Sequence, residues 1–167
     1  MPYIGSHVWK VRQAYGNKLL LLPGALVIVE RDDSSILLMR RVDTGKWSTI
    51  SGYAEEGAGF RQTAITELRE EAGITAHEQD LIPFATLSDP AYMAGTYPNG
   101  DQVQVFAHGF VIRTWQHIPN AEIDKSEVHE LKFFKLDEAP YDHMDKVTKF
   151  ELELYRAYLQ TGEFQSR

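Results

Sequence analysis

Glu67, Glu70 and Glu71 stand at positions i, i+3 and i+4 of an apolar-periodic segment. At about 100° per residue, these three carboxylates share one arc of a helix. Like charges at such spacings cost roughly 0.2–0.5 kcal/mol per pair, so something should offset them. Arg69 falls elsewhere on the helical wheel and is not expected to neutralise them. Glu55 and Glu56, in the preceding loop, add further negative charge if that loop folds back. A solvated acidic helix face is the plain reading of this pattern. The chemical reading is a site for a hard cation, since Mg²⁺ and Mn²⁺ prefer oxygen ligands and keep some of their waters. With no cysteine and no HExxH pair, a zinc peptidase centre has no support. Carboxylates of this kind serve substrates that bring their own phosphate oxygens to the metal. Phosphoanhydride hydrolysis needs that arrangement and a base to orient water.

The element that must carry the trio is a helix over 59–72, where Phe60, Ala64, Ile65, Leu68 and Ala72 form an apolar stripe. Gly73 supplies its left-handed stop, with Ile74 folding back in a Schellman arrangement. Its start, Gly57-Ala58-Gly59, offers no capping side chain. A loosely helical spacing over 3–15 predicts a short leading helix. The nearly continuous apolar run from Leu19 to Val29 predicts a buried strand. A turn over 31–35 and a returning strand over 36–39 would make a hairpin. Further strands are expected over 81–87, 102–112 and 131–134, with Asn99-Gly100 as a tight turn having two positive φ angles. An amphipathic helix over 147–159 closes the chain. Strands outnumber helices and occur in runs, which points to an α+β fold with a mixed sheet.

The whole chain has 167 residues, 43% hydrophobic and 25% charged. No linker or repeat divides it, so a single domain over 1–167 is expected, with 1–17 as a helical extension. Seventeen basic against 24 acidic residues leave a net charge of −7. That balance argues against a nucleic-acid partner, which usually requires a basic stripe. No apolar run reaches the 18 residues of a membrane span, and the N-terminus lacks the pattern of a secretory signal. A cytoplasmic protein with no membrane partner is expected.

Residues 52–74 resemble the Nudix box of the MutT-like Nudix hydrolases, whose pattern is G-x5-E-x7-R-E-U-x-E-E-x-G-U with U a bulky aliphatic residue. Gly52 matches the opening glycine, and Glu67, Leu68, Glu70, Glu71, Gly73 and Ile74 match the closing run. Gly45-x-Trp47 before the box, and the acidic loop leading to Leu131-Lys132-Phe133-Phe134 after it, agree as well. Two positions depart. Ala58 stands where the family has its first glutamate, and Thr66 where it has an arginine that orients the box carboxylates. Threonine cannot reproduce a bidentate guanidinium fork.

The resemblance implies an α/β/α sandwich around a mixed sheet and a Mg²⁺ cofactor, with Mn²⁺ as substitute. It implies Glu67, Glu70, Glu71 and the Gly52 carbonyl as metal ligands, with Glu67 also a candidate base. Glu55 could take over the place lost at Ala58 and contact substrate. Glu127 and Glu130 are the loop candidates for a further base, Glu130 favoured because it directly precedes the short strand. Arg40 and Arg41 would hold phosphates, although neighbours on a strand point to opposite sides and one should face solvent. Trp47, Tyr92, Tyr97 and Phe106 are stacking candidates, each more often a core residue. Of six histidines, His129 alone is expected near the site. The implied function is metal-dependent cleavage of a phosphoanhydride in a nucleoside diphosphate linked to another moiety, with a small-molecule nucleotide as substrate. The alternative is a degenerate domain that binds a nucleotide without hydrolysing it. Paired subunits are common in the family, so a homodimer is compatible with the resemblance.

Overall fold

The apolar run near the N-terminus forms β1 (Leu20–Val29), and the next forms β2 (Ser35–Arg41). They do not form the expected hairpin. A single bridge, Glu30 to Ile36, joins them before they part into separate sheets. The turn itself lies where the sequence puts it, with Asp33 accepting from the Ser35 backbone N–H at 3.0 Å and Ser34 at φ 61°. Both strands are buried on both faces over 24–29 and 35–39, and each feeds two cores. Leu26, Ile28, Ile36 and Leu38 enter one core, while Val27, Val29, Leu37 and Met39 enter the other. Strands covered on both faces read as continuous apolar runs, which is why an alternating hairpin pattern is missing from the sequence.

The computed structural model describes residues 4–97 and 99–167. α1 (His7–Tyr15) precedes β1, with Ser6 capping it through the Trp9 N–H. Tyr3, included in the expected leading helix, lies outside the described residues. After β2 come β3 (Trp47–Ser48), β4 (Ile50–Tyr53), α2 (Phe60–Ala72), β5 (Ile74–Thr75) and β6 (Ile82–Leu87). Next are α3 (Pro90–Met93), β7 (Ala94–Thr96), β8 (Gln102–Ile112) and β9 (Gln116–His117). β10 (Val128–Lys135), α4 (Lys146–Thr161) and β11 (Gln165–Ser166) complete the order. One sheet runs β11-β6-β8-β1-β4 with β7 on β8, and a second runs β10-β2-β3. The β1–β8 and β11–β6 pairs are parallel and the other pairs antiparallel, so the large sheet is mixed.

α2 covers the core containing Val27 and Met39 through Ala64, Leu68 and Ala72. α4 covers the other through Phe150, Leu152, Leu154 and Tyr155. α1 seats Val8 against Leu20, Leu22 and Val103. The result is the expected layering of helices around a mixed sheet. Asn99-Gly100 belongs to a five-residue connection between β7 and β8, not a two-residue turn. Gly100 takes φ 87°, while Asn99 uses its side chain to accept from the Asp101 N–H. Among the described residues, no helix is long and apolar enough to cross a membrane.

Candidate metal centre

α2 begins without a side-chain cap at Gly59 and ends on Gly73 at φ 62°, as its sequence predicts. Its three glutamates are graded in burial rather than equivalent. Glu71 is only 2% exposed, Glu67 is half-buried, and Glu70 lies on the solvent edge. Contrary to the wheel argument, Arg69 does engage the trio, pairing with Glu70 at 3.0 Å. Both of those side chains are exposed and flexible enough to meet although they are sequence neighbours.

β4, the edge strand of the large sheet, lies beside the inner two. The Ser51 N–H donates to one Glu71 carboxylate oxygen at 2.9 Å. Glu67 lies over Gly52 so closely that a Cβ there would overlap its carboxylate. Gly24 of β1 has a matching reason to be glycine, since a Cβ on it would stand 2.9 Å from the Gly52 carbonyl oxygen. Two glycines across one ladder thus make room for a carboxylate above the strand.

The electrostatics follow from this crowding. Burial, then the charges of Glu70, Glu127 and Glu55, push the Glu67 carboxyl up to about 7. Burial and the Glu67 charge raise Glu71 well above the usual carboxylate range, opposed by the Ser51 N–H and by Arg41. Burial disfavours the Arg41 charge, but its pair with Asp43 and the fields of Glu71 and Glu127 hold the guanidinium protonated. Arg41 is gripped by Asp43 at 2.9 and 3.0 Å, a two-point pair that fixes its direction. Arg40, next along β2, is exposed and donates to the Gly45 carbonyl at 3.1 Å. Of the two arginines, Arg41 is the one whose charge reaches the buried carboxylates.

Glu127 joins this field and Glu130 is placed otherwise. Glu130 is exposed and pairs with Arg40 in the β10–β2 ladder, one bulge away from Val128 opposite Arg41. Glu55 is near enough to raise Glu67, yet both its oxygens accept from the His7 N–H, at 2.9 and 3.2 Å. His7 also contacts Glu56 through Nδ1 at 3.0 Å. His7, not His129, is therefore the histidine that touches the box loop. Among the described residues, no hydrogen bond runs from Thr66 to a box carboxylate. Asp43, Ser51 and Gly24 escaped the sequence reading; the glycine inside a strand was the one usable signal for them.

No three acidic or histidine side chains among the described residues converge into a ready cage for a cation. The donor chemistry nonetheless fits a hard cation. Two inward carboxylates with suppressed ionisation would be relieved by a divalent charge, and Mg²⁺ is commonly held by one or two carboxylates plus waters and substrate phosphates. The stacking candidates are mostly occupied. Trp47 meets Phe134 edge-on at 5.0 Å, Tyr92 stacks on Phe150 at 4.0 Å, and the Tyr97 hydroxyl pairs with that of Tyr53 at 2.6 Å. Phe106 is 41% exposed.

Comparison with known proteins places the chain in a family. The NUDIX domain profile matches residues 20–158. The NAD-capped RNA hydrolase NudC of Stutzerimonas stutzeri is 27% identical over 141 residues, covering 82% of this chain and 45% of that protein. The chain thus spans less than half the length of that relative. The RNA pyrophosphohydrolase of Erythrobacter litoralis is 29% identical over 164 residues, covering 94% of this chain and 92% of that one. Among solved structures, the MutT NUDIX hydrolase from Burkholderia pseudomallei superposes with a TM-score of 0.64 at 19% identity, covering 81% of this chain and 98% of that one. That likeness speaks for the fold. With the profile spanning most of its length, the chain belongs to the NUDIX domain family.

Proposed function

We propose that this protein is a metal-dependent pyrophosphohydrolase that cleaves a phosphoanhydride bond in a nucleoside diphosphate linked to another moiety. The observation that carries this reading is the pair Glu67–Glu71, held inward over Gly52 and against the Ser51 N–H with their ionisation suppressed. Glu67 and Glu71 would hold Mg²⁺ or Mn²⁺, with Glu70 at the rim through water; the Gly52 carbonyl, expected as a ligand, is turned towards Gly24 of β1 across the ladder instead. Once bound, the ion supplies charge neutralisation on the bridging and leaving oxygens. Arg41, aimed by Asp43, would bind the substrate's phosphates, with Arg40 at the outer edge. Glu67, or Glu127 from the loop before β10, would accept the proton of the attacking water; Glu130 is the outlying alternative. The names of the two relatives, an NAD-capped RNA hydrolase and an RNA pyrophosphohydrolase, fit this bond type. They also make a capped or triphosphorylated RNA end a substrate to try, although net charge argues against extended RNA contact.

A panel of nucleotide sugars, dinucleotides and capped RNA ends, assayed with Mg²⁺ and with Mn²⁺, tests the reading. Turnover of at least one compound is expected, and Glu71→Gln should lower it by more than about 100-fold, beyond the 10–100-fold typical of an outer-shell change. Activity unchanged in that variant would reject the assignment. Ala58, together with a Thr66 that makes no hydrogen bond to a box carboxylate, supports a second reading, binding without cleavage. A nucleotide that binds in calorimetry and is recovered intact after long incubation with Mn²⁺ would select it.

A further inference from the structure

The chain passes from the three-stranded sheet to the six-stranded sheet at one residue, Thr49, between the end of β3 and the start of β4. Thr49 is fully buried, and its hydroxyl donates to a Glu151 carboxylate oxygen at 2.7 Å, 102 positions away on α4. Glu151 is itself 5% exposed and lies on α4 between the core residues Phe150 and Leu152. A second tie lies two residues earlier, where Trp47 bridges Met144 just before α4. Two residues after Thr49, the Ser51 N–H reaches Glu71, and the next residue is Gly52 beneath Glu67.

The geometry points to Glu151 as a positioning residue for the carboxylate centre: through Thr49 it fixes the bend that aims the Ser51 N–H and sets Gly52 beneath Glu67. A carboxyl group is costly to bury, and an apolar residue in its place would pack the same core without that cost. What the apolar residue cannot do is accept the Thr49 hydroxyl and lock the crossover. α4 thereby acts on the site from the opposite side of the sheet, through a strut one side chain long at each end. This inference rests on the metal-centre reading for its consequence, not for its geometry.

The test compares Thr49→Val and Glu151→Leu, which cut the strut, with Thr49→Ser and Glu151→Gln, which keep a donor and an acceptor. Tyr155→Phe serves as the control. It removes another buried hydrogen bond of α4, the 2.7 Å contact from the Tyr155 hydroxyl to Glu30, at the far end of β1 from the site. The first readout is amide hydrogen exchange at Ser51 by NMR, without metal. Thr49→Val should speed it at least about tenfold, while Thr49→Ser, Glu151→Gln and Tyr155→Phe stay close to the wild type. The second is Mn²⁺ affinity by electron paramagnetic resonance, expected to weaken about 10-fold or more in the strut-cutting variants alone, as for other outer-shell losses. Unchanged Ser51 exchange in Thr49→Val, or an equal change in Tyr155→Phe, would overturn the inference. A wild type that binds no Mn²⁺ would refute the metal-centre reading, and Ser51 exchange would still decide this one.

Discussion

Glu67 and Gly52 make the sharpest claim at the scale of single residues. Adding one methyl at Gly52→Ala places a Cβ inside the space of the Glu67 carboxylate, whose flexible end must then swing away. Stability should change little, while Mn²⁺ affinity in a titration drops at least tenfold; retained affinity would show that Glu67 is not needed where it lies. The titration of Glu67 gives a second prediction. Its folded value of about 7 lies above the ordinary 4.5, so between those values the folded state holds more protons than the unfolded chain. The contribution of Glu67 to stability without metal therefore falls as pH rises through that window, being fully present below about 4.5 and lost above about 7. Urea melts from pH 4.5 to 8 in the presence of a chelator check the sign, and Glu67→Gln should make the slope shallower, with buried Glu71 and Glu151, both raised by burial, carrying what is left. Arg41 also shows what spacing alone leaves open. Strand alternation predicts that only one of Arg40 and Arg41 faces the site, but which one depends on Asp43 and on the β10 ladder, which the local sequence does not encode.

Among the elements, α1 is the one whose role the sequence hides. Its periodicity is readable, but nothing in it announces that the His7 N–H meets Glu55, or that Val8 closes a small core on Leu20, Leu22 and Val103. Such contacts join segments about fifty and about a hundred residues apart, beyond any local pattern. A chain beginning at Leu19 loses the burial of Val8, worth about 2 kcal/mol. Its melting temperature should fall by about 4–8 °C, and an unchanged melting curve would mean that α1 is not docked. α2 is the opposite case. Its apolar stripe, its capless start and its glycine stop are local features, and all three are present in the structure. The β1–β2 pair marks the boundary between the two cases. The turn was legible from Asp33-Ser34-Ser35, while the sheet each strand joins was not, because strands buried on both faces carry no alternation to choose a partner.

For the molecule as a whole, the family and its layered fold were readable because the box fixes a loop, a helix and a glycine stop within 23 residues. The origin of its internal support was not, since α4 meets Thr49 and α1 meets Glu55 only through tertiary contacts. A cation that binds the folded state and not the unfolded chain must stabilise the entire molecule. At about 100 times its dissociation constant this amounts to about 2.7 kcal/mol, or a rise of about 5–11 °C in Tm for a chain of this length. Glu71→Gln should abolish that rise. The most direct measurement is an anomalous difference map from crystals soaked in manganese with a non-hydrolysable nucleotide diphosphate. A peak between the carboxylates of Glu67 and Glu71 is the predicted result. Full occupancy of the nucleotide with no peak beside either side chain would contradict it.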